Sequence, residues 1–165
     1  MDGNNNFKTH TMKKLFTLLA LTISFSMNAQ MSDNSSGTSA TAIYSVAMGR
    51  NTTASASYST AMGRDATASG TYSTAMGRET TASETYSTAM GRSTTASGTA
   101  STAMGYSTTA SGTYSTAMGY ETTTSDYGSL VIGKHNLSGS TVTGSATAFN
   151  TANTAFVIGN GASSG

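Results

Sequence analysis

Residues 58–71 read YSTAMGRDATASGT and residues 72–85 read YSTAMGRETTASET, the same phrase returning after fourteen residues. Outward from this pair the phrase recurs as YSVAMGRNTTASAS from Tyr44, YSTAMGRSTTASGT from Tyr86, ASTAMGYSTTASGT from Ala100 and YSTAMGYETTTSDY from Tyr114. A worn seventh unit, GSLVIGKHNLSGST, begins at Gly128. A fixed period of this kind marks a repeat architecture, in which each unit is one structural step. A flexible Ser/Thr/Ala/Gly linker would have no reason to hold such register.

Inside the unit, STAMG alternates with period two, as a strand does. Ser59, Ala61 and Gly63 fall on one face, with Thr60 and Met62 on the other. The second half alternates likewise, with Ala68 and Gly70 opposed to Thr67 and Ser69. Gly63 with its polar followers predicts one turn, and Gly70-Thr71 another. Two short strands and two turns in fourteen residues make one flattened coil of a solenoid. Stacked coils place like residues on like along parallel strands about 4.8 Å apart. The small faces then meet inside the coil, and the larger apolar side chains Met48, Met62, Met76, Met90, Met104, Met118 and Ile132 form one outward row. Beside it stand Val46, Thr60, Thr74, Thr88, Thr102, Thr116 and Leu130. A contiguous apolar strip is a contact surface, and each of its Met side chains is worth roughly 1.5–3 kcal/mol when buried. The slim interior thus predicts that the stack packs row against row with its own copies. The alternative arrangement is a single fat solenoid with Met inside and the small residues outside.

Composition agrees with a repetitive β protein. Charged residues make up 9% of the chain, and Pro, Cys and Trp are absent, so disulfide and thiolate-metal chemistry are excluded. Residues 12–30, MKKLFTLLALTISFSMNAQ, carry a basic pair (Lys13, Lys14), an apolar run from Leu15 to Phe25 and a cleavage point after Ala29. That is the anatomy of a secretory signal peptide, too short for a membrane span of about 20 residues, and it predicts an N-terminal signal helix with Met12 as the start. Export follows, with no membrane span in the mature chain. From Gln30 onward five cations face six carboxylates, so no electrostatic case exists for nucleic-acid binding. The expected organisation is a leader over 1–29, a linker over 30–41, a seven-coil head over 42–141, and an insertion plus one further degenerate coil over 142–165. The last of these is suggested by Thr154-Ala155-Phe156-Val157-Ile158-Gly159, and the chain reads as an N-terminal piece of a longer protein or a fragment.

The unit YST-A-M-G-x-x-x-x-A-S-G resembles the head repeat of trimeric autotransporter adhesins, the YadA-like heads. Tyr44-Ser45-Val46-Ala47-Met48-Gly49 and Gly128-Ser129-Leu130-Val131-Ile132-Gly133 carry the resemblance most closely. It implies an all-β, left-handed parallel β-roll that associates as a homotrimer. It also implies that Val46, Met48, Thr60, Met62, Thr74, Met76, Thr88, Met90, Thr102, Met104, Thr116, Met118, Leu130 and Ile132 line the trimer interface. Thr replaces the family's Val in five units, making that interface more polar, and no stalk heptads or membrane barrel follow within the sequence. The function implied is a non-catalytic adhesin head at the cell surface, outer membrane or extracellular space, binding a matrix protein, a glycan or another cell surface. Similar repeats in tail fibres leave a structural spacer as an alternative.

No catalytic constellation is present in the sequence. His10 precedes the leader and His135 stands alone, so a histidine triad or zinc site lacks partners. Glu79, Glu84 and Glu121 are scattered over different units, and no calcium-roll G-G-x-G-x-D or phosphate-loop motif occurs. No enzyme activity, metal or cofactor is expected. Two surface columns are candidates for binding. One is Arg50, Arg64, Arg78 and Arg92, followed by Tyr106, Tyr120 and Lys134, residue types suited to anionic glycans or protein partners. Asp65 and Glu79, directly after Arg64 and Arg78, neutralise part of it, so the column also reads as solubilising charge at a turn. The unit-start tyrosines are expected to pack on one another. The other column pairs Thr53, Thr67, Thr81, Thr95, Thr109 and Thr123 with Ser55, Ser69, Ser83, Ser97, Ser111 and Ser125, an array that either binds ice or is a solvated β-face.

Overall fold

A computed structural model describes residues 31–32, 37–136, 146–148 and 156–160. It is an all-β parallel solenoid of about seven coils, and no helix occurs among the described residues. The expected signal helix and the Ala29 cleavage point lie outside them.

Each coil contributes one five-residue strand and one two-residue strand. The long ones are Val46–Arg50, Thr60–Arg64, Thr74–Arg78, Thr88–Arg92, Thr102–Tyr106, Thr116–Tyr120 and Leu130–Lys134. Met31–Ser32 and Phe156–Asn160 extend this sheet to nine strands. The short strands, from Ser39–Ala40 to Thr123–Thr124, make a second sheet of seven. All pairings are parallel and step by whole units through the repeats, so Met48 aligns with Met62, Met62 with Met76, and so on to Met118 and Ile132. Phe156–Asn160 joins in the same register, Ile158 opposite Ile132, after an interval nearly twice the usual step. Met31–Ser32 and Ser39–Ala40 place parts of the expected 30–41 linker within the two sheets.

The interior is made of columns of very small side chains. Ser45, Ala47 and Ala54, with their equivalents Ser59, Ala61, Ala68 and onward through the stack, are 0% exposed. The outward orientation of the Met row holds: Met48, Met62, Met76, Met90, Met104 and Met118 are all partly exposed, which excludes the fat solenoid. Two placements differ from the sequence expectation. Gly63 and its equivalents are not interior: Gly63, next to last in its strand, has φ of +117° and is exposed. The extra interior column is instead Thr52, Ala66, Thr80, Thr94, Thr108 and Thr122, all fully buried.

The reason lies at the corners. Each coil turns twice through a residue in the left-handed region, first at Tyr44, Tyr58, Tyr72 and their equivalents, all but Gly128 non-glycine, then at Asn51, Asp65, Glu79, Ser93, Ser107, Glu121 and His135. Such a conformation costs roughly 1–2 kcal/mol for a residue with a Cβ. Inter-coil hydrogen bonds offset it: Tyr72 N–H donates to Ser57 C=O, and Glu79 N–H to Arg64 C=O, one coil back. At the first corner the following serine closes the turn with its side chain, Ser59 Oγ donating to Ala56 C=O and Ser87 Oγ to Glu84 C=O, both at 2.6 Å. At the second corner the left-handed residue shifts the phase of the alternation, turning Thr80 inward behind Glu79.

The buried threonine column is energetically imperfect. The hydroxyls of Thr52, Thr80, Thr94, Thr108 and Thr122 have no hydrogen-bond partner, and an unmade buried hydrogen bond costs about 1–3 kcal/mol. Ala66 fills the same column with no hydroxyl at all. Thr94→Val, which exchanges that hydroxyl for a methyl of similar shape, should raise stability by about 1 kcal/mol. A denaturant midpoint unchanged or lowered would show that the hydroxyl contributes to the fold.

Candidate binding surfaces

The outer side of the long-strand sheet carries Val46, Thr60, Thr74, Thr88, Thr102, Thr116 and Leu130 beside the Met row. All are half-buried in the isolated chain, while Ile132 is exposed. Identical neighbours in register make this face a set of straight columns, polar hydroxyls alternating with thioethers along each strand. Phe156, aligned with Leu130, exposes its ring at the far end.

The residue after the strand glycine closes each long strand, at the second corner. Here Arg50, Arg64, Arg78 and Arg92 align, followed by Tyr106, Tyr120 and Lys134. The column is partly neutralised by contact. Arg64 Nε donates to Asp65 Oδ2 at 2.9 Å, and Arg78 Nη2 lies 2.9 Å from Glu79 Oε1. Higher up the charge is carried on rings. The Arg92 guanidinium sits 5.2 Å from the Tyr106 centroid, Tyr106 stacks on Tyr120 at 4.9 Å, and Lys134 Nζ is 5.6 Å from the Tyr120 centroid. At exposed sites such cation–π contacts are worth about 0.5–1 kcal/mol each.

Behind this column the left-handed corner residues form a polar ladder. Asn51 Nδ2 donates to Asp65 Oδ1, and Ser93 Oγ to Glu79 Oε2, both at 2.9 Å and both one coil apart. These bonds are the main reason that both carboxyls are held below their ordinary values of 3.8 and 4.5, with neighbouring arginines adding to the effect. His135 does not stand alone: its Nδ1 lies 2.9 Å from Glu121 Oε2, and its ring meets Tyr120 edge-on at 5.2 Å. The hydrogen bond and charge of Glu121 in turn push the Tyr120 phenol above 10.0. A carboxyl with a depressed folded-state pKa stabilises the fold above its unfolded value, and that contribution is lost as pH falls through the lower folded value. Thermal stability should therefore decline on acidification below about pH 4.5. Asp65→Asn with Glu79→Gln should remove that decline, and an equally steep loss in the double variant would place its origin elsewhere.

The unit-start tyrosines stack as expected, through Tyr44, Tyr58, Tyr72 and Tyr86 at 4.7–5.2 Å with nearly parallel rings from Tyr58 on. Ala100 interrupts the stack, and Tyr114 packs edge-on against Tyr127 instead. On the opposite sheet Thr53, Thr67, Thr81, Thr95, Thr109 and Thr123 face outward with their serines, half-buried or exposed. No cluster of three or more His, Cys, Asp or Glu capable of holding a metal occurs among the described residues.

An in-register parallel solenoid with a thin small-residue interior and columnar outer faces is a repetitive scaffold whose chemistry stands in rows on its open sides. The family model for the YadA head domain repeat matches residues 40–66, 68–94, 96–122 and 110–135, more than half of the chain. The chain belongs to the YadA head domain repeat family, a family of typically structural adhesin elements. Neither a curated protein nor a solved structure gives a significant match.

Proposed function

We propose that this chain forms the head of an exported, trimeric surface adhesin, a rod that binds and does not catalyse. The observation that carries the reading is the unbroken outward row of thioethers on a chain of YadA head repeats. A stack whose largest fully buried side chains are Val131 and the interior threonines has little apolar area of its own. Covering the Met/Thr face with two sister chains supplies the missing burial, since each Met so covered is worth roughly 1.5–3 kcal/mol. In this reading the interface comprises Val46, Leu130, Ile132 and the Met and Thr columns between them. Residues 1–29 are the leader, removed after Ala29. The second-corner column of Arg50, Arg64, Arg78, Arg92, Tyr106 and Tyr120 is left at the rim, where it contacts a matrix protein, glycan or other cell surface.

The test is the mass of the chain from residue 30 onward by sedimentation at micromolar concentration. A trimer is expected, and a folded monomer would overturn the reading. The rim assignment is checked separately by adhesion of the same protein to immobilised matrix proteins and glycans. Replacing Arg50, Arg64, Arg78 and Arg92 with Gln should weaken adhesion without altering the mass.

A further inference from the structure

Tyr44, Tyr58, Tyr72 and Tyr86 form a ladder along the first corner, outside the Met and Thr columns of the proposed interface. Their ring centroids lie 5.0, 4.7 and 5.2 Å apart, and the last two pairs are 10° and 7° from parallel. Each of the four residues is nevertheless 47–59% exposed, so the phenols stand open to solutes. The backbone beneath holds the spacing. Tyr58 N–H donates to Ile43 C=O at 3.0 Å, Tyr72 N–H to Ser57 C=O at 3.1 Å and Tyr86 N–H to Thr71 C=O at 2.9 Å, each one coil back. Ala100 keeps the same left-handed backbone at its corner, with φ of +52°, so the turn itself does not require a ring.

Phenols held side by side have a covalent chemistry of their own. A one-electron oxidant removes an electron from a phenol and the O–H proton departs. The radical left behind is shared between the oxygen and the two ring carbons flanking the hydroxyl-bearing carbon. Two such radicals join through one of these flanking carbons each. Each joined carbon then gives up its hydrogen as a proton, each oxygen takes one back, and two aromatic phenols are restored. With hydrogen peroxide reduced by a haem peroxidase as the oxidant, two tyrosines and one peroxide give one dityrosine and two waters. We infer that the ladder from Tyr44 to Tyr86 is a site of oxidative cross-linking, at which peroxide-driven oxidation joins the tyrosines of successive coils within one chain.

Reach decides which partners join. The rings must leave the stack and meet edge to edge, a rotation that half-exposed side chains allow. Neighbours on successive coils, about 4.8 Å apart, are within that reach. Tyr86 and Tyr114 are two coils apart with Ala100 between them, and Tyr114 meets Tyr127 edge-on instead, so the ladder ends at Tyr86. Tyr106 and Tyr120 also stack, at 4.9 Å, but Arg92 and Lys134 sit over their rings. The product is a set of ties between coils in a chain without cysteine. A tie that closes a loop constrains the unfolded chain, as a disulfide does.

The experiment treats the full chain with hydrogen peroxide and a haem peroxidase. Trypsin cuts after Arg50, Arg64, Arg78 and Arg92, which leaves each of the four tyrosines on its own fragment, so mass spectrometry identifies the partners. Links are expected between Tyr44 and Tyr58, Tyr58 and Tyr72, and Tyr72 and Tyr86, with none from Tyr86 to the fragment that begins at Ser93. Ala100→Tyr, which fills the vacant rung, should add that last link. An equal mixture of nitrogen-15-labelled and unlabelled protein should give links within one label. Tyr58→Phe with Tyr72→Phe keeps the rings and removes two phenols, so Tyr44 and Tyr86 should stay unjoined. Oxidation should raise the urea midpoint of the parent more than that of this double variant. The proposal would be overturned by absence of dityrosine, by links that mix labels as often as not, or by a Tyr44–Tyr86 link in the double variant. Failure of Ala100→Tyr to add its link, or equal shifts in midpoint, would overturn it as well.

Discussion

Gly91→Ala should be among the most damaging single methyl groups that can be added to this chain. A Cβ at Gly91 would stand 2.1 Å from the Gly105 carbonyl oxygen and 3.0 Å from its carbon. These are backbone atoms held by the sheet, with no flexible side chain to swing aside. Gly91 also has φ of +119°, outside the ordinary range of a residue with a side chain. Backbone strain of about 1–3 kcal/mol adds to overpacking of about 1–3 kcal/mol, so a loss of about 3 kcal/mol or more is expected by urea denaturation. Gly128→Ala is the internal control. It has φ of +66° and open space around its Cβ position, and other coils carry Tyr there, so it should cost far less. Equal effects at the two positions would show that the close stacking of strand glycines is unimportant to stability.

Met76→Lys together with Met90→Lys should convert the proposed trimer to monomer. The two residues are register partners at the middle of the outer face, so the substitution would set ammonium groups at the centre of a surface that sister chains must cover. Each uncompensated buried charge costs several kcal/mol, more than the roughly 1.5–3 kcal/mol that a buried Met contributes. Sedimentation should report the single-chain mass, accompanied by loss of β signal in circular dichroism if the isolated stack cannot sustain its thin interior. Ser97→Lys, on the outer side of the short-strand sheet, should leave the mass unchanged. Retention of the trimer by the Met76/Met90 variant would move the interface to another face.

The fourteen-residue period made most of the architecture legible, because identical units can satisfy one another only by stacking in parallel register. Period-two alternation also located Ser59 and Ala61 inside and Thr60 and Met62 outside. It failed where the backbone leaves the extended region. Gly63 follows the alternation on paper, but its φ of +117° takes the backbone out of the extended region, and its role is close approach between coils. Asp65 and Glu79, polar residues in left-handed corners, shift the phase, and this is why the inward threonine column behind them was not foreseen. The Glu121–His135 contact could have been found from the period alone, since the two residues occupy the same place in successive units. What no pattern in the sequence supplied is a ligand: the outer columns display chemistry in rows, and an open surface leaves no enclosed shape to read.

The N–H groups of the left-handed corner residues run to the coil before, and those entering the strands run to the coil after, so each unit is secured by its immediate neighbours. Excising or duplicating fourteen residues would therefore leave every remaining joint intact, and would change reach by about 4.8 Å per unit. Length in such a rod is a matter of counting, which lets its span be adjusted by recombination within the repeats, with no redesign of the fold.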